Sequence, residues 1–224
     1  FYLTVVWNGQ WFKWENRNTN FLYGGPDGGP THDAPQNGYL NRSRVSLDYI
    51  PRDNNHPYRP AIIFRMAEAY LSYAEALNEC SERMSYEQEI LNNLNKIRHR
   101  AGIAEYGTGT DENGFTRIKI NFADQKEVRR LIHKERRVEF VGEGIRYHDL
   151  RRWKTAHYGI GNMNEQGENP DWGVNGPDHG MNYYGTEYTD QGDNAFFKRT
   201  KYMDRVYPRK FYWYPIHQSE IDKD

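Results

Sequence analysis

One stretch of this chain, Ile132-His-Lys-Glu-Arg-Arg-Val-Glu-Phe-Val-Gly-Glu-Gly-Ile-Arg-Tyr-His-Asp-Leu-Arg-Arg-Trp153, places charge where a packed helix ordinarily carries leucine. Val128, Leu131, Ile132, Glu135, Val138, Glu139 and Gly142 recur at three- and four-residue steps and fall on one helical face. Two carboxylates on a core-facing stripe need cationic partners, because an unpaired buried charge costs several kcal/mol or more. Arg136, Arg137, Arg146, Arg151 and Arg152 are the nearest candidates in sequence. The pattern therefore predicts a helix pair docked through a lattice of charges, with Glu135 and Glu139 each in salt-bridge range of an arginine.

Helical periodicity extends upstream. Ile63, Met66, Ala67, Tyr70, Ala74 and Leu77 share one face, and Pro60 suits a first helical turn. Leu91, Leu94, Ile97 and Ala101 form a second face, closed by Gly102. Asp124 is the N-cap expected of a third helix, and Gly142 with Gly144 separates it from a fourth. The expected helices are 60–80, 86–101, 124–142 and 145–156. The first pair resembles a tetratricopeptide repeat, a unit that stacks in arrays of about three or more to bury its faces. Only one such unit is visible. The chain is expected to be a fragment or processed product, with apolar atoms of that pair turned outward and isolated residues 1–224 prone to aggregate. Around the helices, residues 1–58 carry turn signals and short β-prone pieces at Tyr2–Trp7 and Val45–Ile50. Residues 104–123 read as a loop with a hairpin end at Arg117–Ile120. Residues 158–195, rich in Gly, Asn, Asp and Tyr, show no periodicity, as in a functional or disordered loop. The fold class is mainly α: a tetratricopeptide-like helical unit with long loops and a few short strands. The expected segments are 1–58, 59–157 and 158–224, all within one larger domain.

Composition narrows the function classes. Only 41 of 224 residues are Leu, Ile, Val or Phe, under the ~20% below which folding becomes doubtful for highly charged chains. Net charge is −1, and 18 Tyr and 6 Trp supply the missing apolar mass. Near-neutrality argues against general nucleic-acid binding. No apolar run approaches the ~20 residues of a membrane span, and Phe1-Tyr-Leu-Thr-Val-Val-Trp7 has no basic start or cleavage site. The single cysteine, Cys80, excludes an internal disulfide and reads as a half-buried apolar thiol.

Four blocks in order carry a family resemblance: Arg59–Glu79 with its Arg-Pro start and Ala-Glu-Ala core, Leu94–Gly102, Ile132–Trp153, and Tyr214-Pro-Ile-His-Gln-Ser-Glu-Ile221. Together they resemble the C-terminal part of the SusD/RagB family, over about Arg59 to Trp153 and again from Tyr214. Pro215-Ile216-His217 departs from the Pro-Ile-Pro commoner in that family. The resemblance implies a surface lipoprotein of Bacteroides-type bacteria. Such proteins capture nutrients as a lid over a TonB-dependent, SusC-like outer-membrane transporter, and their N-terminal half is a tetratricopeptide-like superhelix. It further implies no catalysis, no cofactor, and membrane contact only through a lipid anchor, for which this chain carries no matching cysteine.

Two segments offer ligand chemistry. Trp7, Trp11 and Trp14 lie among Asn8, Gln10, Asn16, Arg17 and Asn20. Flat rings bordered by amides suit the apolar C–H faces and hydroxyl rim of a sugar. A core hairpin is the alternative, since Trp7 and Trp11 are spaced to share a strand face. The resemblance favours the ligand reading, because family sites often use aromatics from loops before the Arg-Pro helix. The second segment, 158–195, offers Trp172, Tyr183, Tyr184 and Tyr188; the alternative is a loop packed on the body or on the transporter. The candidate ligand-binding set is Trp7, Trp11, Trp14, Asn16, Trp172 and Tyr183. Asp171, Asp178, Asp190 and Asp193 lack EF-hand spacing, so no metal site is assigned. Enzymatic signatures are absent: no His-Glu-x-x-His, no Gly-x-Ser-x-Gly, no phosphate loop. Glu135 and Glu139, crowded by arginines, make poor general acids. The reading is glycan capture; the alternatives are a peptide-binding RagB-type protein, an intracellular tetratricopeptide scaffold and, last, a glycoside hydrolase.

Overall fold

A computed structural model describes residues 4–43, 45–46, 50, 53–54, 57–58, 61–159 and 173–223. The chain divides into two compact units, residues 60–148 and residues 1–59 with 149–224.

The first unit is helical. Helix α1 (Met66–Glu79) and helix α2 (Glu87–Ala101), joined through a 3-10 turn at Arg83–Tyr86, pack on helix α3 (Gln125–Glu139). Leu71, Ala74 and Leu77 of α1, Ile90, Leu94 and Ile97 of α2, and Val128 and Ile132 of α3 form the core with Tyr106, Phe122 and Phe140. Both expected helix ends hold. Asp124 accepts from the Lys126 and Glu127 amides at 2.9 and 3.2 Å. Gly102 closes α2 at φ 67°, a left-handed conformation that glycine adopts without a Cβ penalty. Where α1 ends beside α3, Asn78 and Gln125 exchange side-chain-to-carbonyl hydrogen bonds of 3.3 and 2.7 Å.

Three details differ from the sequence reading. Helix α1 starts at Met66, not at Pro60, which lies outside the described residues. Residues 61–65 are not helical, Arg65 is extended at φ −143° and ψ 156°, and Ile63 is 96% exposed. Val138 is 63% exposed, because the buried stripe of α3 swings toward Arg136 and His133. The charge lattice exists, but its arginines come from other segments. Arg98 of α2 meets Glu135 at 2.5 Å. Glu139 is held by Arg65 and, at 2.5 Å, by Arg100. Arg65 also forks onto Glu143 at 2.9 and 2.6 Å and lies over the Phe140 ring. Residues one or two apart on a helix do not face each other, so Glu135 is met by Arg98 of α2 rather than by Arg136 or Arg137 beside it.

The segment between α2 and α3 is knotted around Asp111. Its carboxylate accepts from the backbone N–H groups of Glu105 (3.1 Å), Asn113 (3.0 Å) and Phe115 (2.9 Å). Isolated bridges at Tyr106–Ile118 and Thr110–Thr116 replace the expected hairpin end. Burial pushes this carboxyl up, but the Phe115, Glu105 and Asn113 donors outweigh it and hold it below its ordinary value. A depressed native pKa stabilises above the unfolded value and is lost as pH falls through the native one. Asp111→Ala should therefore remove amide-exchange protection at these three residues at neutral pH, and wild type should lose it only under acid. Unchanged exchange in the variant would mean the turn closes without the carboxylate.

The second unit is built from short strands and turns. Strand β1 (Val5–Trp7) pairs antiparallel with β4 (Tyr39–Asn41), and β2 (Trp11–Phe12) with β3 (Arg17–Asn18). The expected 45–50 strand does not form at Val45, Ser46 or Ile50; residues 47–49 lie outside the described set. The described residues 173–195 are not structureless, while 160–172 lie outside the described set. Strand β5 (Gly176–Gly180) pairs with β6 (Thr200–Arg205), with an irregularity at Asp178/His179. Gly-Pro-Asp-His-Gly has no alternation to betray a strand; its partner imposes it. Helix α4 (Ile145–Arg152) carries the boundary between the units, and a short α5 (Gln218–Ile221) lies near the C-terminus. Phe21, Ala34, Leu150, Ala156, Ala195 and Phe196 are this unit's buried apolar residues. Among the described residues no helix is long and apolar enough to cross a membrane.

Candidate functional site

The aromatic residues of the second unit are positioned by side-chain hubs. Asn182 accepts from the Tyr184 amide at 3.2 Å and donates to the Asp193 and Ala195 carbonyls, each at 3.1 Å. Its own amide donates to Phe196 O at 2.9 Å. The Gly185 carbonyl then accepts from the Tyr23 amide at 2.8 Å, joining segments more than 150 residues apart. The result is a cluster of three tyrosines. Tyr183 and Tyr184 meet edge-to-face at 5.1 Å; Tyr23 lies 5.5 Å from Tyr184 and 6.1 Å from Tyr183. Tyr183 presses on Gly29, where a Cβ would stand 2.6 Å from its hydroxyl, so a larger residue there would displace the ring. Tyr184 is 70% exposed. A ring packed on two others yet open to solvent offers a rigid stacking face.

The tryptophans are not one cluster by strand geometry. Gly9, at φ 89°, turns the chain after β1. Trp7 therefore belongs to one two-stranded sheet and Trp11 to another, not to one strand face. Trp7 lies opposite Tyr39 in register. Trp11 is 57% exposed, and half-buried Trp14 has the Lys13 ammonium 4.7 Å from its ring. Asn16 occupies φ 51° in the β2–β3 connection, a conformation Asn tolerates well. Trp172 lies outside the described residues.

Much of the expected amide and guanidinium rim is engaged internally. Buried Asn8 accepts from the Phe21 amide at 2.7 Å, and Asn20 from the Leu22 amide at 3.1 Å. Arg17 forks onto Asp27 at 2.6 and 2.7 Å and holds that carboxyl below its usual range. Sequence reasoning missed Tyr23, whose partners are distant in the chain. It also missed a cleft of about 1050 Å³ in the helical unit, between α2 and residues 105–122. There Glu105 is met by Arg117 at 2.9 Å and by His99 at 3.2 Å, and the Asn95 amide is tied to the Tyr106 backbone at 2.9 and 2.8 Å. That cleft offers mixed charge and few open aromatic faces.

Among the described residues no group of three His, Cys, Asp or Glu side chains is placed to hold a metal ion. Asp178 is paired with Arg205 and Asp193 with Lys198, while Asp171 lies outside the described set.

A model of the SusD family matches residues 1–224. A SusD-like protein, P25, of Formosa agariphila is 35% identical over 109 residues, covering 49% of this chain and 18% of the relative. The crystal structure of a SusD-like protein from Bacteroides fragilis superposes with a TM-score of 0.65 at 25% identity, over 99% of this chain and 36% of that one. A SusD-like carbohydrate-binding protein from the same species gives a TM-score of 0.60 at 23% identity, over 98% and 39%. The chain thus spans little more than a third of the solved relatives it matches.

Proposed function

The chain belongs to the SusD family, and from that premise we propose that it is part of a non-catalytic nutrient-binding protein that captures oligosaccharides at the cell surface. The packed, outward-facing cluster of Tyr23, Tyr183 and Tyr184 carries this reading. Sugar rings stack on such faces through their C–H groups, and phenol hydroxyls bond the rim. A SusD-like relative of the same fold is described as carbohydrate-binding, which supports the ligand class. The family assignment supports the remainder: a lipid-anchored position on the outer face of the outer membrane, beside a SusC-like TonB-dependent transporter that receives the ligand. Capture needs no acid–base pair, and Glu135 and Glu139, the carboxylates singled out in the sequence, are paired with arginines.

Calorimetric titration of the full-length protein against oligosaccharides and short peptides tests this. At least one oligosaccharide should bind saturably, with no new reducing ends after prolonged incubation. Peptide binding alone would replace the reading with peptide capture, and cleavage would replace it with hydrolysis.

A further inference from the structure

A second aromatic feature in the strand-built unit is a small cleft of about 200 Å³. Trp7 and Tyr39, directly opposite across the β1–β4 ladder, form one side, since cross-strand partners share a face. Tyr188 and Phe197 form the other, meeting edge-to-face at 4.8 Å and 82°. Phe196, 2% exposed, and Gly38, at φ 83°, also line it. Tyr188 is fixed twice more. Its hydroxyl donates to Asn8 O at 3.2 Å and fits against Gly9, where a Cβ would lie 3.0 Å away. Tyr188 nevertheless stays 63% exposed. An aromatic held by three contacts and left open to solvent is pre-organised for a ligand, whose binding then orders little.

Size and charge restrict that ligand. The cleft is smaller than the ~300–1,000 Å³ of drug-sized sites, so it suits one ring. None of its lining residues carries a formal charge. A carboxylate or sulfate placed there would lose hydration and meet no cation among the lining residues. A neutral pyranose would place its C–H faces on the rings and keep its hydroxyls toward the open side and the phenols.

We propose that this cleft holds a single uncharged pyranose ring and makes the protein selective for neutral glycans over uronate-containing or sulfated ones. The proposal rests on the oligosaccharide reading and adds the substrate class. Titration of the full-length protein should use two panels: neutral gluco-, galacto-, manno- and xylo-oligosaccharides, and oligouronates with sulfated galactan fragments. Neutral ligands should bind at least tenfold tighter than anionic ones. Tyr188→Ala, at an exposed position, should weaken the best neutral ligand at least tenfold, while Tyr188→Phe should stay within about threefold. An anionic oligosaccharide bound as tightly as the neutral ones would overturn the selectivity and leave glycan capture standing. Neutral binding unchanged in Tyr188→Ala would overturn the cleft as the site. Binding of neither panel would overturn both this proposal and the glycan reading.

Discussion

Glu135→Ala is expected to cost ~3–5 kcal/mol of folding stability, the range for removing one member of a buried ion pair. The carboxylate is 6% exposed and accepts from Arg98 at 2.5 Å and from the Tyr106 hydroxyl at 2.8 Å. Burial, followed by the Glu135 charge, holds the Tyr106 phenol above its ordinary value, so the hydroxyl keeps its proton and donates. Truncation strands a guanidinium in the core between α2 and α3. The solvent-accessible pair Arg129–Glu79 is the control, since exposed pairs are worth ~0–1 kcal/mol. Urea denaturation of the full-length protein measures both. Equal, small losses in Glu135→Ala and Glu79→Ala would mean that the lattice does not fix how these helices dock.

Replacing Tyr23, Tyr183 and Tyr184 together by Ala is expected to weaken oligosaccharide binding more than tenfold, while the variant still unfolds cooperatively in urea. Truncated aromatic anchors commonly cost ~2 kcal/mol or more in binding. Tyr184 and Tyr23 are exposed, so they add little to the core. Tyr183 contributes packing against Gly29, and a separate Tyr183→Phe variant isolates that ring from its hydroxyl. Undiminished affinity in the triple variant would assign the cluster to structure and place the ligand elsewhere.

The sequence made local signals legible. Asp124 and Gly102 act through bonds within a few residues, so their roles follow from spacing. The need for partners at Glu135 and Glu139 was equally legible, because it is a local property of a charged stripe. Which arginines answer depends on how α1, α2 and α3 pack, and Arg65, Arg98 and Arg100 lie 37 to 78 residues from the carboxylates they meet. The same divide runs through the candidate site. Tyr183 and Tyr184 stood out as aromatics in a segment without periodicity. Tyr23 reaches them from far along the chain, through a backbone bond to Gly185 and the ring contacts that it allows. Strand β5 was hidden for a related reason: its five residues have no strand preference apart from the partner that pairs with them.

The most direct measurement is a crystal structure of the full-length protein with a neutral oligosaccharide it binds. Sugar carbons should lie within about 4.5 Å of the Tyr184 or Tyr23 ring, with further density in the Trp7–Tyr188 cleft. A glycan seated instead in the mixed-charge cleft beside α2, with the tyrosines bare, would contradict capture by the aromatic surface.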